Sequence, residues 1–456
     1  MLTYELKKQP GLPLYESLYR CIREDIRSGK LRPGEKLPSK RALAANLEIS
    51  KITVEGAYGQ LLAEGYIRSR EKAGYYVENA AQPSLRIPAE EPPQTQPEDI
   101  LDLVSNVPAR FPFSVWSRLQ REVMLDMGEQ LLLSLPNQGL WQLRQAIAAH
   151  LAQFRGMQVS PGCVLIGAGT DFLYNLLIQL LGRDKCYAVE EPGYGKIRKI
   201  YAAGGVKCIS APMDEQGVRP AALDSAQVLH FSPSHHFPTG IVTPLSRRQA
   251  LLGWANEKPD RWIIEDDYDS EFRFNARPLA AMQSLDTGGR VIYMNTFSKT
   301  LAPSIRISYM ILPQELMEQF QKLLGFYSCT VPSFEQYTLA RFISEGYFEK
   351  HINRMRKFYK ARRNRLLSAI AASPMADRLT ILEENAGLHF LLRVDTNLSD
   401  EALVARCQDA GIRIRSLGSY YHDPAPRKDT RCLVVNYSGL DDPALERLEA
   451  VLARGF

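Results

Sequence analysis

Leu14, Leu18, Ile22 and Ile26 recur at every fourth position, a helical period that predicts an amphipathic first helix ending near Gly29. After the turn Leu31-Arg32-Pro33-Gly34, Ser39 is placed to cap a short second helix through Leu47. Ser50 is placed to cap a third running to Glu64, which Gly65 closes. Two brief segments, 66–69 and 75–77, then read as a hairpin with Lys72-Ala73-Gly74 at its tip. A short helix, a tight turn, a longer helix and a hairpin together predict a winged helix-turn-helix over residues 1–79.

The pattern changes further on. From Leu140, apolar strands at 187–189, 228–231, 262–264 and 291–294 alternate with helical stretches, as in a mostly parallel sheet covered by helices on both faces. Residues 342–367 predict one long basic helix leading into a smaller α+β lobe. This α/β domain is expected to span residues 101–456. Between the two parts, residues 80–100 hold Pro83, Pro88, Pro92, Pro93 and Pro97 among alanines, glutamines and acids, and read as a linker. About 20 such residues at roughly 3.1 Å each reach on the order of 60 Å.

Composition supports a two-part soluble protein. With 456 residues, 45% of them hydrophobic, the chain can bury a large core. No apolar run reaches the ~18 residues of a membrane span, and the start Met-Leu-Thr-Tyr-Glu-Leu-Lys-Lys lacks a signal-peptide core, so the expected location is the cytoplasm. Seven scattered cysteines without a Cys-x-x-Cys pair read as reduced thiols.

Charge separates a DNA-binding reading from a plain three-helix interaction module. Residues 1–79 carry 14 Lys and Arg against 10 Asp and Glu, a net +4 of the chain's +5. The start of the third helix of such a motif enters the major groove, which brings Ser50, Lys51, Ile52 and Thr53 near base edges or phosphates. Arg41 and Lys72 are expected at the backbone or minor groove of a double-stranded operator.

The most telling chemistry lies in Asn295-Thr296-Phe297-Ser298-Lys299, continuing through Thr300 to Arg306. An amine on the loop leaving a buried strand suits a Schiff base with pyridoxal phosphate (PLP). Thr296, Ser298 and Arg306 are candidates for its phosphate, which the arginine fork binds in bidentate fashion. Upstream, an apolar strand at 261–264 runs into Glu265-Asp266-Asp267-Tyr268, the point at which an open α/β sheet presents ligand groups. Asp266 and Tyr268 lie on one side of an extended chain. Asp266 could keep the pyridine nitrogen protonated and Tyr268 could bond the ring's 3′ oxygen. Solvated strand-end charge is the reading given to Asp267 or Asp269. His235 and His236 lack a third ligand at zinc spacing, so no metal is expected.

Taken in order, Gly167-Ala168-Gly169-Thr170, Glu190-Glu191-Pro192-Gly193-Tyr194, the run from Ser232 to Gly240, the run from Glu265 to Phe272 and the Lys299 segment resemble fold-type I aminotransferases. The resemblance covers nearly the whole chain and is closest to the aminotransferase-like domain of MocR-type regulators within the GntR family. It implies that Gly169 and Thr170 meet the phosphate at the start of an apolar helix, where free N–H groups favour an anion. The same resemblance implies that Tyr194 stacks on the pyridine ring and that Arg431 grips a carboxylate of the effector. It also implies a polar partner of the 3′ oxygen at His235 or its neighbour His236, and an effector contact from Lys196 or Arg198. Ser134 stands where many relatives carry a tyrosine that reaches the partner subunit's phosphate. In the amino-terminal part, Arg41, Lys51, Thr53 and Gly74 match DNA-contacting positions, while Glu55 stands where some GntR proteins have an arginine.

Together these readings imply a homodimeric, PLP-dependent transcription regulator that senses a small amine or amino acid, or PLP itself. The alternative is an active aminotransferase with an attached DNA-binding domain.

Overall fold

The computed structural model describes residues 2–4, 6, 13–71, 73–79, 100–105, 110–274, 279–385, 387–422 and 429–454. The expected linker lies outside the described residues except for Ile100, as does Lys72. The chain divides into two compact units, Met1–Gln96 and Pro97–Phe456.

In the first unit, α1 (Leu14–Arg27), α2 (Lys40–Asn46) and α3 (Lys51–Ala63) precede an antiparallel hairpin, β1 (Ile67–Arg70) and β2 (Gly74–Val77). Each N-cap acts as its residue type dictates: Ser39 accepts from Ala42 N–H at 3.1 Å, and Ser50 from Thr53 N–H at 3.1 Å. Gly65 leaves α3 with φ +75°, a conformation that costs glycine little. Leu18, Ile22 and Ile26 from α1, Leu43 from α2, Val54, Tyr58 and Leu61 from α3, and Ile67 and Val77 from the hairpin close one core.

The second unit is built on an eight-stranded sheet. Its strands in chain order are β3 (Val164–Gly167), β4 (Cys186–Glu191), β5 (Lys207–Asp214), β6 (Gly217–Val218), β7 (Val228–Phe231), β8 (Trp262–Asp266), β9 (Val291–Thr296) and β10 (Ser308–Ile311). Their spatial order is β3-β10-β9-β8-β7-β4-β5-β6. Neighbours among β9, β8, β7, β4 and β5 are parallel, and β10 runs antiparallel to both β3 and β9. Alternate residues feed opposite faces: Ile166, Tyr293 and Tyr309 enter one core, and Leu165, Ile292, Met294 and Met310 another. That two-sided burial is why these strands read as continuous apolar runs. A smaller antiparallel sheet follows, made of β11 (Leu379–Leu382), β12 (His389–Val394), β13 (Arg415–Ser416) and β14 (Cys432–Asn436) in the order β11-β12-β14-β13.

Two expectations need correction. The helix expected over 342–367 is two helices, Ser333–Ser344 and Tyr347–Ala371, because Gly346 adopts φ +76° between them and turns the chain. Lys299 is not on an open loop but on a single helical turn, Phe297–Thr300, where the Thr296 hydroxyl accepts the Ser298 N–H at 3.1 Å. All seven cysteines are free. Among the described residues, no helix is long and apolar enough to cross a membrane.

Candidate functional sites

Parallel strands end on one edge of their sheet, so the residues just beyond β3, β4, β7, β8 and β9 converge there. These are Gly169 and Thr170, Tyr194, His235, Asp266 with Tyr268, and Lys299. The register places Asp266 beside Met294, the strand residue two before Thr296.

Asp266 is buried. Its Oδ2 accepts the Tyr174 hydroxyl at 2.5 Å and lies 3.4 Å from His230 Nε2, whose Nδ1 is 2.6 Å from the Tyr201 hydroxyl. One carboxylate oxygen is thereby fixed by a chain of buried groups. The other, Oδ1, is buried without a hydrogen-bond partner. An orphaned carboxylate oxygen is costly, and a ring N–H is a donor that would satisfy it.

Desolvation pushes the Lys299 ammonium down to about 8, against the pull of the Asp269 and Asp266 carboxylates. Such an amine is far more often neutral near pH 8 than an exposed lysine, as attack on an aldehyde requires. Burial and the nearby carboxylates, Asp269 foremost, hold the Tyr268 phenol well above its usual range, so it is a donor.

At the end of β3, Gly169 has φ +89° and precedes α4 (Thr170–Leu181), whose first N–H groups have no acceptor within the helix and no side-chain cap. The Arg306 guanidinium donates to Ala168 O at 3.3 Å and lies 3.5 Å from Asp171 Oδ2. Lys196 Nζ reaches the same Asp171 oxygen at 2.6 Å. Arg198 turns elsewhere, to the Ser210 hydroxyl at 2.6 Å and Glu191 at 3.6 Å. The two effector candidates are thus not equivalent, since Lys196 shares a counter-ion with Arg306. Thr296 is buried, and besides capping the Lys299 turn its hydroxyl accepts from Ser308 at 2.8 Å. Ser298 lies on that turn, half-buried.

The two histidines also differ. His235 Nδ1 is 2.8 Å from Asp269 Oδ2 and 3.4 Å from the Tyr268 hydroxyl, and its Nε2 is buried without a partner. His236 Nδ1 meets Thr239 at 2.7 Å, and burial drives its pKa to about 3. Gly387 packs on the His235 ring so closely that a Cβ there would lie 1.9 Å from a ring carbon. Tyr194 is half exposed, edge-on to Phe237 with centroids 6.0 Å apart. Arg431 opens β14 with φ +49°, its side chain exposed and its N–H donated to Asp400 at 2.7 Å. Ser134 is exposed.

Asp267 and Asp269 are not solvated charges. Both are buried. Asp267 pairs with Arg155 at 2.9 Å and accepts the Tyr293 hydroxyl at 2.6 Å, and Asp269 holds His235. Burial and the Asp267 charge raise Glu265 and Glu271 to about 7 beside this pair. Sequence reading missed Tyr174, His230 and Asp171. Tyr174 and Asp171 could have been found, for they share the first turns of the helix that Gly169 starts.

In the first unit, Lys51, Arg41 and the α3 start are solvent-facing, and the Ser50 and Thr53 hydroxyls bond each other at 2.8 Å. Gly74 begins the second wing strand with φ +106°. A clasp not foreseen joins the helices: Glu55 lies 3.4 Å from Lys51 Nζ and 3.6 Å from Lys40 Nζ. No group of three or more metal-ligating side chains occurs among the described residues.

Residues 98–452 match the model of the aminotransferase class I and II family, and residues 14–77 that of the bacterial regulatory proteins of the gntR family. The HTH-type transcriptional regulator YdeL of Bacillus subtilis is 37% identical, over 97% of this chain and 96% of its own. The probable rhizopine catabolism regulatory protein MocR of Rhizobium meliloti is 34% identical, over 96% and 92%. Among solved structures, the Pyrococcus horikoshii kynurenine aminotransferase, crystallised with PMP, superposes with a TM-score of 0.68 at 25% identity, covering 78% of this chain and 91% of that one.

Proposed function

The chain belongs to the gntR family of bacterial regulators, in the MocR-type branch that carries an aminotransferase class I and II domain, and from that premise we propose that it regulates transcription by sensing an amine or amino acid. It is a DNA-binding regulator whose larger domain binds PLP and takes a small-molecule ligand. The observation that carries the sensing reading is the buried, unpartnered Oδ1 of Asp266 on the sheet edge that also bears the Lys299 amine.

When bound, PLP supplies an aldehyde carbon and an electron-withdrawing ring. Lys299 would hold that carbon, Asp266 the ring nitrogen and Tyr268 the 3′ oxygen. Tyr194 would cover the ring, and Arg306 with the Gly169–Thr170 helix end would take the phosphate. Thr296 supports this set by fixing the Lys299 turn, and Ser298 lies on it. His235, steadied by Asp269, orients Tyr268. An effector amine would be received beside Lys299, where Arg431 or Lys196 would bind its anionic group, and Arg198 braces the helix that carries Lys196. Differential affinity for two arrangements of the protein, typically ~1–3 kcal/mol, then alters DNA binding. The working unit is a cytoplasmic homodimer gripping two operator half-sites.

The test is spectroscopic and functional together. Holoprotein should absorb in the visible, Lys299→Ala should lose that band, and the effective amine should change both the band and operator affinity. An unaltered spectrum in Lys299→Ala sinks the assignment. Operator affinity that responds to PLP but ignores amines makes the cofactor itself the signal. A working aminotransferase is the second reading, favoured by a Lys299 amine tuned to about 8, which suits proton transfer. Many turnovers per subunit with an amine and a keto acid would select it.

A further inference from the structure

On the DNA-reading helix, two side chains stand where the lysines do not. Ile52, second residue of α3, is 78% exposed, and it packs against nothing that would explain an apolar residue there. Glu55, three positions on, shares its face, since residues at i and i+3 are neighbours on a helix. A Cβ on Gly59, one turn further along the same face, would meet no atom within 4 Å. That surface is therefore clear of the protein's own packing.

Glu55 is a carboxylate in an element that meets a polyanion, so facing a phosphate would be repulsive. Its two ion pairs resolve the conflict. Lys51 at 3.4 Å and Lys40 at 3.6 Å flank Oε1, and Lys40 is itself held over the Tyr75 ring at 5.4 Å. With lysines on its flanks, the carboxylate's charge is offset, which eases the repulsion that would otherwise keep it out of the major groove. In the major groove the one edge that offers cytosine's distinctive donor is N4–H₂, and the one that offers a methyl group is thymine's.

Resting on the DNA-binding reading above, we propose that Ile52 and Glu55 are the specificity-determining pair of this helix, reading a thymine methyl and a cytosine amino group. Three residues advance about 4.5 Å along a helix and a base pair about 3.4 Å along DNA, so the two bases lie within about one or two base pairs of each other in each half-site. Lys40 and Lys51 act as positioning residues that keep Glu55 off the phosphates.

The experiment selects bound sequences from a random duplex library with full-length holoprotein, for wild type, Ile52→Ala and Glu55→Gln at one fixed salt concentration. Ile52 is exposed, and glutamine keeps the shape of the partly exposed Glu55 side chain, so neither change should disturb folding. Wild type should enrich a motif with neighbouring cytosine and thymine. Glu55→Gln should shift the cytosine position toward adenine, the base a glutamine amide pairs with. Replacing that thymine by uracil should weaken wild type about fourfold and leave Ile52→Ala unaffected. If all three proteins enrich one identical motif, or uracil weakens both proteins equally, the inference is overturned while the DNA-binding reading stands. Failure of wild type to enrich any motif overturns both.

Discussion

A Cβ added to Gly169 would lie 2.3 Å from a terminal nitrogen of Arg306, so the guanidinium occupies the space that only a glycine leaves open. With φ at +89°, the same residue is also in a conformation that other residues resist. Gly169→Ala should displace Arg306 and weaken PLP binding. A hydrogen bond to a charged group is worth about 1.5–3 kcal/mol, so the loss should be about 10- to 100-fold, read from a fluorescence titration of apoprotein. Unchanged affinity would remove Arg306 from the phosphate.

The depressed Lys299 pKa gives a signed pH dependence. Between about 8 in the native apoprotein and 10.5 unfolded, the unfolded state binds more protons, so stability rises with pH across that window. Below pH 8 the native state bears the full cost of a buried ammonium. Lys299→Met apoprotein should therefore melt above wild type at pH 7, with the gap closing as pH rises from 8 toward 10.5. A gap that stays constant over that range would mean the amine is not desolvated.

Arg155 and Asp267 form an ion pair that is almost wholly buried, at 2.9 Å. Arg155→Met leaves Asp267 charged and deprived of that partner, close to Glu265 and Glu271, and should cost about 3–5 kcal/mol in urea denaturation. The Asp269–His235 contact does not involve Arg155, so surviving folded protein should still bind PLP.

Arg41 faces solvent on α2 and, in the DNA-binding reading, is expected at a phosphate. Alanine there should weaken binding to all sequences alike and lower the slope of log K against log salt by about 0.9. A change in sequence preference without a change in slope would instead assign that side chain to a base edge.

Much of this was legible because local chemistry and tertiary structure agree. The serine caps at Ser39 and Ser50, the closing Gly65 and the buried runs of β7, β8 and β9 announce themselves through short-range rules. What escaped depends on neighbours distant in sequence. Asp267 and Asp269 look like solvated charge until Arg155 and His235 arrive to pair them. Lys196 and Arg198 are interchangeable in a string of letters and separate only when Asp171 and Glu191 take one each.

The order of the large sheet governs when a site can exist at all. Its first strand, β3, joins the rest only through β10, the last strand made, which slots between β3 and β9. Until Ser308–Ile311 is in place, the glycine turn and the lysine turn belong to separate pieces of chain. A chain ending before that strand lacks the link between the two turns, so it should fail to retain the vitamin, and retention should report that the sheet has closed.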